Sequence, residues 1–141
     1  MKKNVCGLKM LDLYFSEYNF SLTRGEENSD YSSNINISYS SAKDNDLKYK
    51  VVINLMLENE NKTLILNVQA VGIFEVDKAN VPDDIVNQII KQNTVAIMFP
   101  YIRSQVSLLT TQPGMTPIVL PPINIVALVE QSQLHQDNKD K

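Results

Sequence analysis

Few residues in this sequence are of the types that carry out catalysis or hold metal ions. The chain has one histidine, His135, and one cysteine, Cys6, each near an end of the chain. A general base or a nucleophilic thiol needs a fixed partner within hydrogen-bond reach, and neither position promises one. The run Asp44-Asn45-Asp46 looks like part of a calcium loop, but the spaced acids and closing glutamate of an EF-hand are missing. The sequence therefore predicts no enzyme, no metal site and no cofactor.

The composition predicts one domain over residues 1–141 and excludes several partners. The chain is 43% hydrophobic and 21% charged, with a formal net charge of −3. Binding to nucleic acid needs a basic stripe, and none is visible. Lys9 and Asp12 interrupt the apolar start, which argues against a signal peptide. No run reaches the roughly 20 apolar residues of a membrane span. Because a single cysteine also suits a reducing compartment, we expect a cytoplasmic protein without membrane insertion.

Alternating apolar residues predict four strands in the first half of the chain. Apolar residues alternate over 11–15 and again over 18–22, but with opposite parity, so we expect a β-bulge at Ser16 or Glu17. Further alternating rows occupy residues 35–39, 47–57 and 63–76. The short connections between these last three strands favour antiparallel pairing.

Helical periodicity takes over after the fourth strand. We expect a first helix near residues 83–90, a break or bend at Asn93-Thr94, and a long helix that Pro100 kinks near Ala96. Asn124 is placed to cap a last helix, and the chain from His135 onward is expected to be disordered. Strands followed by helices predict an α+β fold: a four-stranded antiparallel sheet with the kinked long helix and the C-terminal helix on one face.

The long helix is apolar on nearly all sides. Val95, Phe99 and Ile102 recur at helical spacing, while Ile97 and Tyr101 lie on other sides of the same cylinder. A helix of this kind must be covered on more than one side. One side can rest on the sheet, and we expect a second subunit to cover the other.

Two further stretches have apolar residues in exposed settings. Ile118 and Leu120 lie among prolines in a loop, where backbone groups must stay near water. The strand around Ile35, Ile37 and Tyr39 follows a long polar connection, so it is a candidate sheet edge. Each of these residues singly can belong to the core, or together they can form a groove for an extended chain.

Several short motifs resemble the SecB protein-export chaperones. They are Val68-Gln69, Gly72-Ile73-Phe74, Phe99-Pro100-Tyr101 with Arg103, and the loop residues Pro117, Leu120, Pro122 and Asn124. Their order and spacing carry the resemblance, which extends over about residues 11–133.

The resemblance implies a dimer of dimers that holds unfolded precursor polypeptides without ATP and passes them to the translocation motor SecA. It implies peptide binding at a set of apolar residues: Ile35, Ile37, Tyr39, Met115, Ile118 and Leu120, with Leu13 and Phe15 as further candidates. It implies subunit contacts through the helix residues Ile97, Phe99, Tyr101 and Arg103.

One feature departs from the SecB pattern. SecB proteins dock the motor through acidic residues, and the matching positions here are Glu17, Ser21 and Asn67, with one acid among them. Fewer anions weaken contact with a basic partner. An alternative function is therefore a SecB-like chaperone dedicated to one partner, such as the antitoxin of a toxin–antitoxin pair.

Overall fold

The computed structural model describes residues 7–23, 30–41, 47–77 and 83–131. Within these ranges four strands form one antiparallel sheet in the order β1-β4-β3-β2. The strands are β1 (Leu8–Leu22), β2 (Tyr31–Ser41), β3 (Lys48–Asn59) and β4 (Leu64–Val76). Strands β1 and β2 are therefore the two edges of the sheet. Cys6, Asp44-Asn45-Asp46 and His135 lie outside the described residues.

One long helical segment follows the sheet. It begins as α1 (Asp83–Gln88), passes through a π-helical turn (Ile89–Asn93) and continues as α2 (Thr94–Leu109), with Pro100 inside α2. A further helix, α3, occupies residues 125–131. Asn124 caps α3, because its side-chain oxygen accepts a hydrogen bond from the Ala127 N–H at 3.1 Å. The antiparallel sheet, the long helix and the C-terminal helix confirm the predicted α+β fold.

Strand β1 contains two bulges. Its pairing with β4 shifts register at Leu11 and again at Ser16. The shift at Ser16 confirms the bulge that the change of parity predicted. The shift at Leu11 was not predicted, because Leu11 continued the alternation of the residues after it. Together the bulges keep the apolar side chains of both halves of β1 on the same face of the sheet.

The helices cover one face of the sheet, which we call the inner face. Side chains of β3 and β4 on this face are at most 1% exposed: Val51, Ile53, Leu55, Leu66, Val68 and Phe74. Helix α2 packs on these two strands and adds Val95, Met98, Ile102 and Val106, again at most 1% exposed. Burying one side chain of this size contributes about 1.5–3 kcal/mol, so this layer is the main source of hydrophobic stabilisation.

Gly72 allows α2 to approach β4 closely. A Cβ atom at this position would lie 2.7 Å from Cε2 of Phe74 and 2.8 Å from Sδ of Met98. Both distances are shorter than van der Waals contact, so any larger residue would push the helix away or displace its neighbours.

The π turn aligns the buried side of α1 with the buried side of α2. The buried apolar residues of this stretch are Val86, Ile90, Val95 and Met98, so the interval between Ile90 and Val95 is five residues. An α-helix returns to the same face after three or four residues, and the i→i+5 geometry of a π turn absorbs the extra one. The sequence predicted a break or a bend at Asn93-Thr94, whereas the chain stays helical through this stretch.

Candidate peptide-binding surfaces

An extended loop, residues 115–124, leads from α2 to α3 and is fastened to one flank of α2. Three side chains hold its backbone: Arg103 Nε donates to the Leu120 carbonyl at 3.1 Å, Ser107 Oγ donates to the Ile118 carbonyl at 2.9 Å, and Thr110 Oγ1 accepts from the Ile118 N–H at 2.8 Å. Positions 103, 107 and 110 have helical spacing and so lie along one flank. The helix thereby satisfies backbone groups that have no partner strand.

This fastening determines which loop side chains face outward. Ile118 and Leu120 are 9% and 8% exposed, whereas Val119 between them is 72% exposed. The sequence predicted Ile118 and Leu120 as peptide-binding residues, but both side chains lie in the core and Val119 is the outward one. Met115 is half-buried against the same core. Alternation in an extended segment is the signal from which Val119 could have been found.

A shallow open cleft separates the loop from the outward flank of α2. Its volume is about 610 Å³, and its walls include Pro100, Arg103, Ser107, Leu108, Thr111 and Val119. Hydroxyl groups alternate with apolar side chains along it. The cleft is therefore suited to an extended chain more than to a compact ligand.

The inner face of β2 carries the predicted residues Ile35, Ile37 and Tyr39, and β2 is an edge strand as predicted. Ile37 is 4% exposed. The hydroxyl of Tyr39 donates to the carbonyl of Lys91 in the π turn, with an oxygen–oxygen distance of 2.7 Å. Burial raises the pKa of the Tyr39 hydroxyl well above its usual value, so the group stays protonated as a donor. The π turn is thus bonded to this side of the sheet.

The inner face of β1 is more open. Leu13, Phe15 and Phe20 are half-buried, whereas Tyr18 and Leu22 are 46% and 44% exposed. The rings of Phe15 and Tyr18 stack with centroids 5.5 Å apart. We call these five residues the open row. The sequence predicted Leu13 and Phe15 as peptide-binding residues but did not single out Tyr18 or Leu22.

The predicted subunit contacts on α2 point in different directions. Phe99 is 5% exposed and packs into the core of its own chain, whereas Tyr101 is 48% exposed and Ile97 is half-buried. Leu108, which was not among the predicted subunit contacts, is 66% exposed. Arg103 bonds to the loop of its own chain. The outward face of α2 therefore carries Tyr101 and Leu108, with half-buried Ile97 at its margin, and does not include Phe99.

The predicted motor-docking residues lie on the outer face of the sheet, opposite the helices. Glu17 pairs with Gln69, and Asn67 lies between Asn19 and Met56 on neighbouring strands. The Glu17 carboxylate accepts a hydrogen bond from Asn19 Nδ2 at 2.9 Å. The side-chain oxygen of Asn67 is buried and has no hydrogen-bond partner among the described residues. Glu17 is therefore the acidic residue among the predicted motor-docking positions.

No group of three or more histidine, cysteine, aspartate or glutamate side chains in the described ranges is arranged to hold a metal ion. Among the same residues, no helix has both the length and the apolar character needed to span a membrane.

Comparison with protein families gives a match over most of the chain. Residues 8–136 match the family described as Preprotein translocase subunit SecB. An uncharacterised protein of Methanocaldococcus jannaschii is 35% identical over 77 residues, which are 54% of this chain and 48% of that protein. Protein-export protein SecB of Neisseria gonorrhoeae is 33% identical over 88 residues, which are 62% of this chain and 58% of that protein. This chain thus spans about half the length of the curated relatives that it matches.

Solved structures share the fold. A SecB-like chaperone of Mycobacterium tuberculosis, in complex with a peptide from the HigA1 antitoxin, superposes with a TM-score of 0.68 at 14% identity. The superposition covers 85% of this chain and 93% of that chain. A Streptococcus agalactiae protein of unknown function gives a TM-score of 0.55 at 11% identity and covers 82% of this chain and 97% of that chain.

Proposed function

The chain belongs to the SecB family, and on that premise we propose that it is an ATP-independent chaperone that binds unfolded polypeptides. The observation that carries the proposal is the apolar surface that one folded copy leaves exposed. This surface includes the open row on β1, the outward face of α2, and Val119 of the loop, which is 72% exposed. Large exposed apolar patches mark sites where proteins bind one another.

The energetics favour many weak contacts. Burying one large apolar side chain of a client contributes about 1.5–3 kcal/mol. Ordering each client residue costs roughly 1–2 kcal/mol of backbone entropy. A single site therefore gains little, and a chaperone of this kind must engage several client segments at once. Contacts to the client backbone, and apolar contacts that accept side chains of many shapes, also give low sequence selectivity, as a general chaperone requires.

A homotetramer, a dimer of dimers, supplies the repeated sites. Ile97, Tyr101 and Leu108 form an outward apolar face on α2 that a second copy can cover. Repeating the open row and the loop on four subunits raises the effective concentration of sites around a bound client. We therefore propose that the tetramer is the active form.

The chaperone activity is tested by aggregation of a chemically denatured client protein diluted into buffer without nucleotide. A few-fold molar excess of the purified protein should slow the rise in light scattering. Unchanged aggregation would contradict the proposal. Native mass spectrometry of the same sample measures the subunit number with and without the client.

A matched pair of substitutions tests the role of the open row. Tyr18 and Tyr14 lie on opposite faces of β1 and are 46% and 44% exposed. We expect Tyr18→Ser to reduce suppression of aggregation at least several-fold, while Tyr14→Ser leaves it unchanged. Equal effects of the two variants would mean that the inner face of β1 is not a client surface. Tyr18→Ser also removes the ring stack with Phe15, so urea denaturation of both variants separates a loss of stability from a loss of client binding.

For the pathway, we propose that the protein holds precursor polypeptides in the cytoplasm and hands them to SecA for export. Relatives with the name Protein-export protein SecB support this pathway. Direct binding to purified SecA, measured at low and high salt, tests it. Because the predicted docking positions include one acidic residue, we expect a weak interaction with SecA whose affinity falls further as the salt concentration rises. No detectable binding at low salt would contradict the export role.

The second candidate is a chaperone dedicated to one partner, such as an antitoxin. The M. tuberculosis SecB-like chaperone, which shares the fold, holds an antitoxin peptide in its structure, and the outer face here has one acid at the predicted docking positions. Affinity capture from native cells separates the two candidates. Many unfolded clients favour the general chaperone, whereas one stoichiometric partner favours the dedicated one.

A further inference from the structure

The helical segment formed by α1 and the π turn meets the β2 side of the inner face at the hydrogen bond between Tyr39 and Lys91. Its buried residues Val86 and Ile90 are 7% and 3% exposed, and Ile37 on β2 is 4% exposed. All three belong to one hydrophobic cluster, against which Ile35 and Tyr39 pack. A client that contacts Tyr39 on this face must first displace the π turn to which its hydroxyl is bonded.

The π turn is a suitable hinge for such a displacement. It holds the one extra residue between Ile90 and Val95, and π turns of this kind occur often at functional sites. The segment upstream of it, α1, is six residues long. Downstream, the buried hydroxyl of Thr94 donates to the Ile90 carbonyl, and α2 is anchored on β3 and β4. The anchored and the short parts of the helix therefore meet at the π turn.

Tyr39 joins the edge strand to the middle of this hinge. Its hydroxyl donates to the Lys91 carbonyl at 2.7 Å, and Lys91 is the central residue of the turn Ile89–Asn93. The aromatic ring packs against the hydrophobic cluster that includes Ile37. Tyr39 is therefore part of the inner face of β2 and also forms the hydrogen bond that joins β2 to the π turn.

We propose that α1 and the π turn form a movable cover over β2, and that the Tyr39–Lys91 hydrogen bond holds the cover closed until a client segment displaces it. Tyr39 is then a positioning residue that sets how often the site is open, not a residue that grips the client. This inference rests on the proposed chaperone function and extends it. When a site is open only part of the time, its apparent affinity is the intrinsic affinity multiplied by the open fraction. Loss of the Tyr39–Lys91 hydrogen bond should increase the open fraction and so give tighter client binding.

The test compares wild type, Tyr39→Phe and the control Tyr49→Phe. Tyr49 is half-buried on the adjacent strand β3, and its hydroxyl has no hydrogen bond to any described residue. Hydrogen–deuterium exchange of residues 85–93 reports opening of the cover. Fluorescence anisotropy with carboxymethylated lactalbumin, a permanently unfolded chain, reports client affinity.

We expect Tyr39→Phe to speed exchange of residues 85–93 by about 2- to 10-fold, the factor that one net hydrogen bond supplies. Affinity for the unfolded chain should rise by a similar factor, while Tyr49→Phe changes neither quantity. Addition of the client to wild type should also speed exchange in this segment. A residue with a merely structural role would weaken binding when mutated, so the sign of the affinity change is diagnostic.

Three outcomes would overturn the proposal. Exchange of residues 85–93 that is equal in wild type and Tyr39→Phe would show that the bond does not hold the cover. Faster exchange without tighter binding would show that the cover is not on the client's path. Absence of client binding by every protein would overturn the chaperone function and the gating together, and the exchange data would still show whether the bond holds the segment.

Deletion of Gln92 should have the opposite effect to Tyr39→Phe. Removing one residue from the π turn brings Ile90 and Val95 to an interval of four, which a continuous α-helix accommodates. We expect slower exchange of the segment and weaker client binding than in wild type. Faster exchange and tighter binding in a folded deletion variant would contradict the role of the π turn as the hinge.

Discussion

Strands β1 and β2 are the two edges of one sheet, and their inner faces differ in what covers them. On β2, Ile37 is 4% exposed, and Tyr39 is bonded to the helical segment at Lys91. On β1, the stacked pair Phe15 and Tyr18 is more open, and Tyr18 is 46% exposed. One edge is closed by the chain's own helices, and the other presents its apolar row outward.

The difference arises from the path of the helices and not from the residues of the strands. Both edges alternate apolar and polar side chains, so both have an apolar inner face. The helical segment packs over β4 and β3 and reaches β2 through Tyr39 and Lys91. Strand β1 lies on the far side of β4 and so receives less cover. Apolar alternation thus predicts which face is inward, while the crossing helix determines how much of that face is buried.

The largest expected effect comes from removing a phenylalanine under the helix. Phe74 is fully buried, whereas Phe15 on the open row is half-buried. We expect Phe74→Ala to lower the free energy of unfolding by about 3–5 kcal/mol. Phe15→Ala should cost about 1–2 kcal/mol, because less apolar surface is lost. Urea denaturation at several protein concentrations measures both. Equal losses would show that a second copy covers the open row in solution.

A medium effect is expected where the loop is fastened to α2. Thr110 is fully buried and accepts the Ile118 N–H at 2.8 Å, so Thr110→Val leaves that donor without a partner. The cost should be about 1–3 kcal/mol in the free energy of unfolding. Thr111 is the matched control, because it is exposed and its hydroxyl bonds to the Ser107 carbonyl. Thr111→Val should change stability by less than about 0.5 kcal/mol. Similar losses would mean that the loop is not held as described.

The smallest effect concerns the pH dependence of the closed edge. Burial raises the pKa of Tyr39 above its unfolded value of 10.0. A group with a raised folded pKa contributes its full stability below the unfolded value and loses it as the pH rises above that value. We therefore expect the stability difference between wild type and Tyr39→Phe to shrink or reverse above about pH 10. Unfolding measured from pH 8 to 11 checks this, and a constant difference would contradict burial of the hydroxyl.

Sequence patterns predicted the elements of the fold but not every local adjustment. The parity change around Ser16 located one bulge, and Asn124 was identified as a helix cap, because both signals are local. The bulge at Leu11 and the π turn were missed. Leu11 preserves the alternation of the residues after it. The polar residues Asn93 and Thr94 between two apolar stretches of the helix predict a break or a bend, whereas they belong to a continuous helical segment.

The candidate site was predicted only in part, because apolar residues that bind a partner and apolar residues that fill a core are of the same types. Ile118 and Leu120 were predicted to be available, yet they are buried, and Val119 is the outward residue. Phe99 was predicted for a subunit contact, yet it is buried in the core of its own chain, and Leu108 is the more exposed residue. The hydrogen bonds from α2 to the loop determine that Val119 and not Ile118 or Leu120 is exposed. The rotation of α2 about its axis determines that Leu108 and not Phe99 is exposed.

The sequence by itself determined four antiparallel strands, the helices that follow them and the resemblance to SecB proteins, because period, caps and motif order are properties of neighbouring residues. The tertiary structure alone decided which edge of the sheet is closed and which apolar side chains remain outside. The reason is that burial depends on contacts between residues far apart in the chain, such as Tyr39 with Lys91 and Arg103 with Leu120.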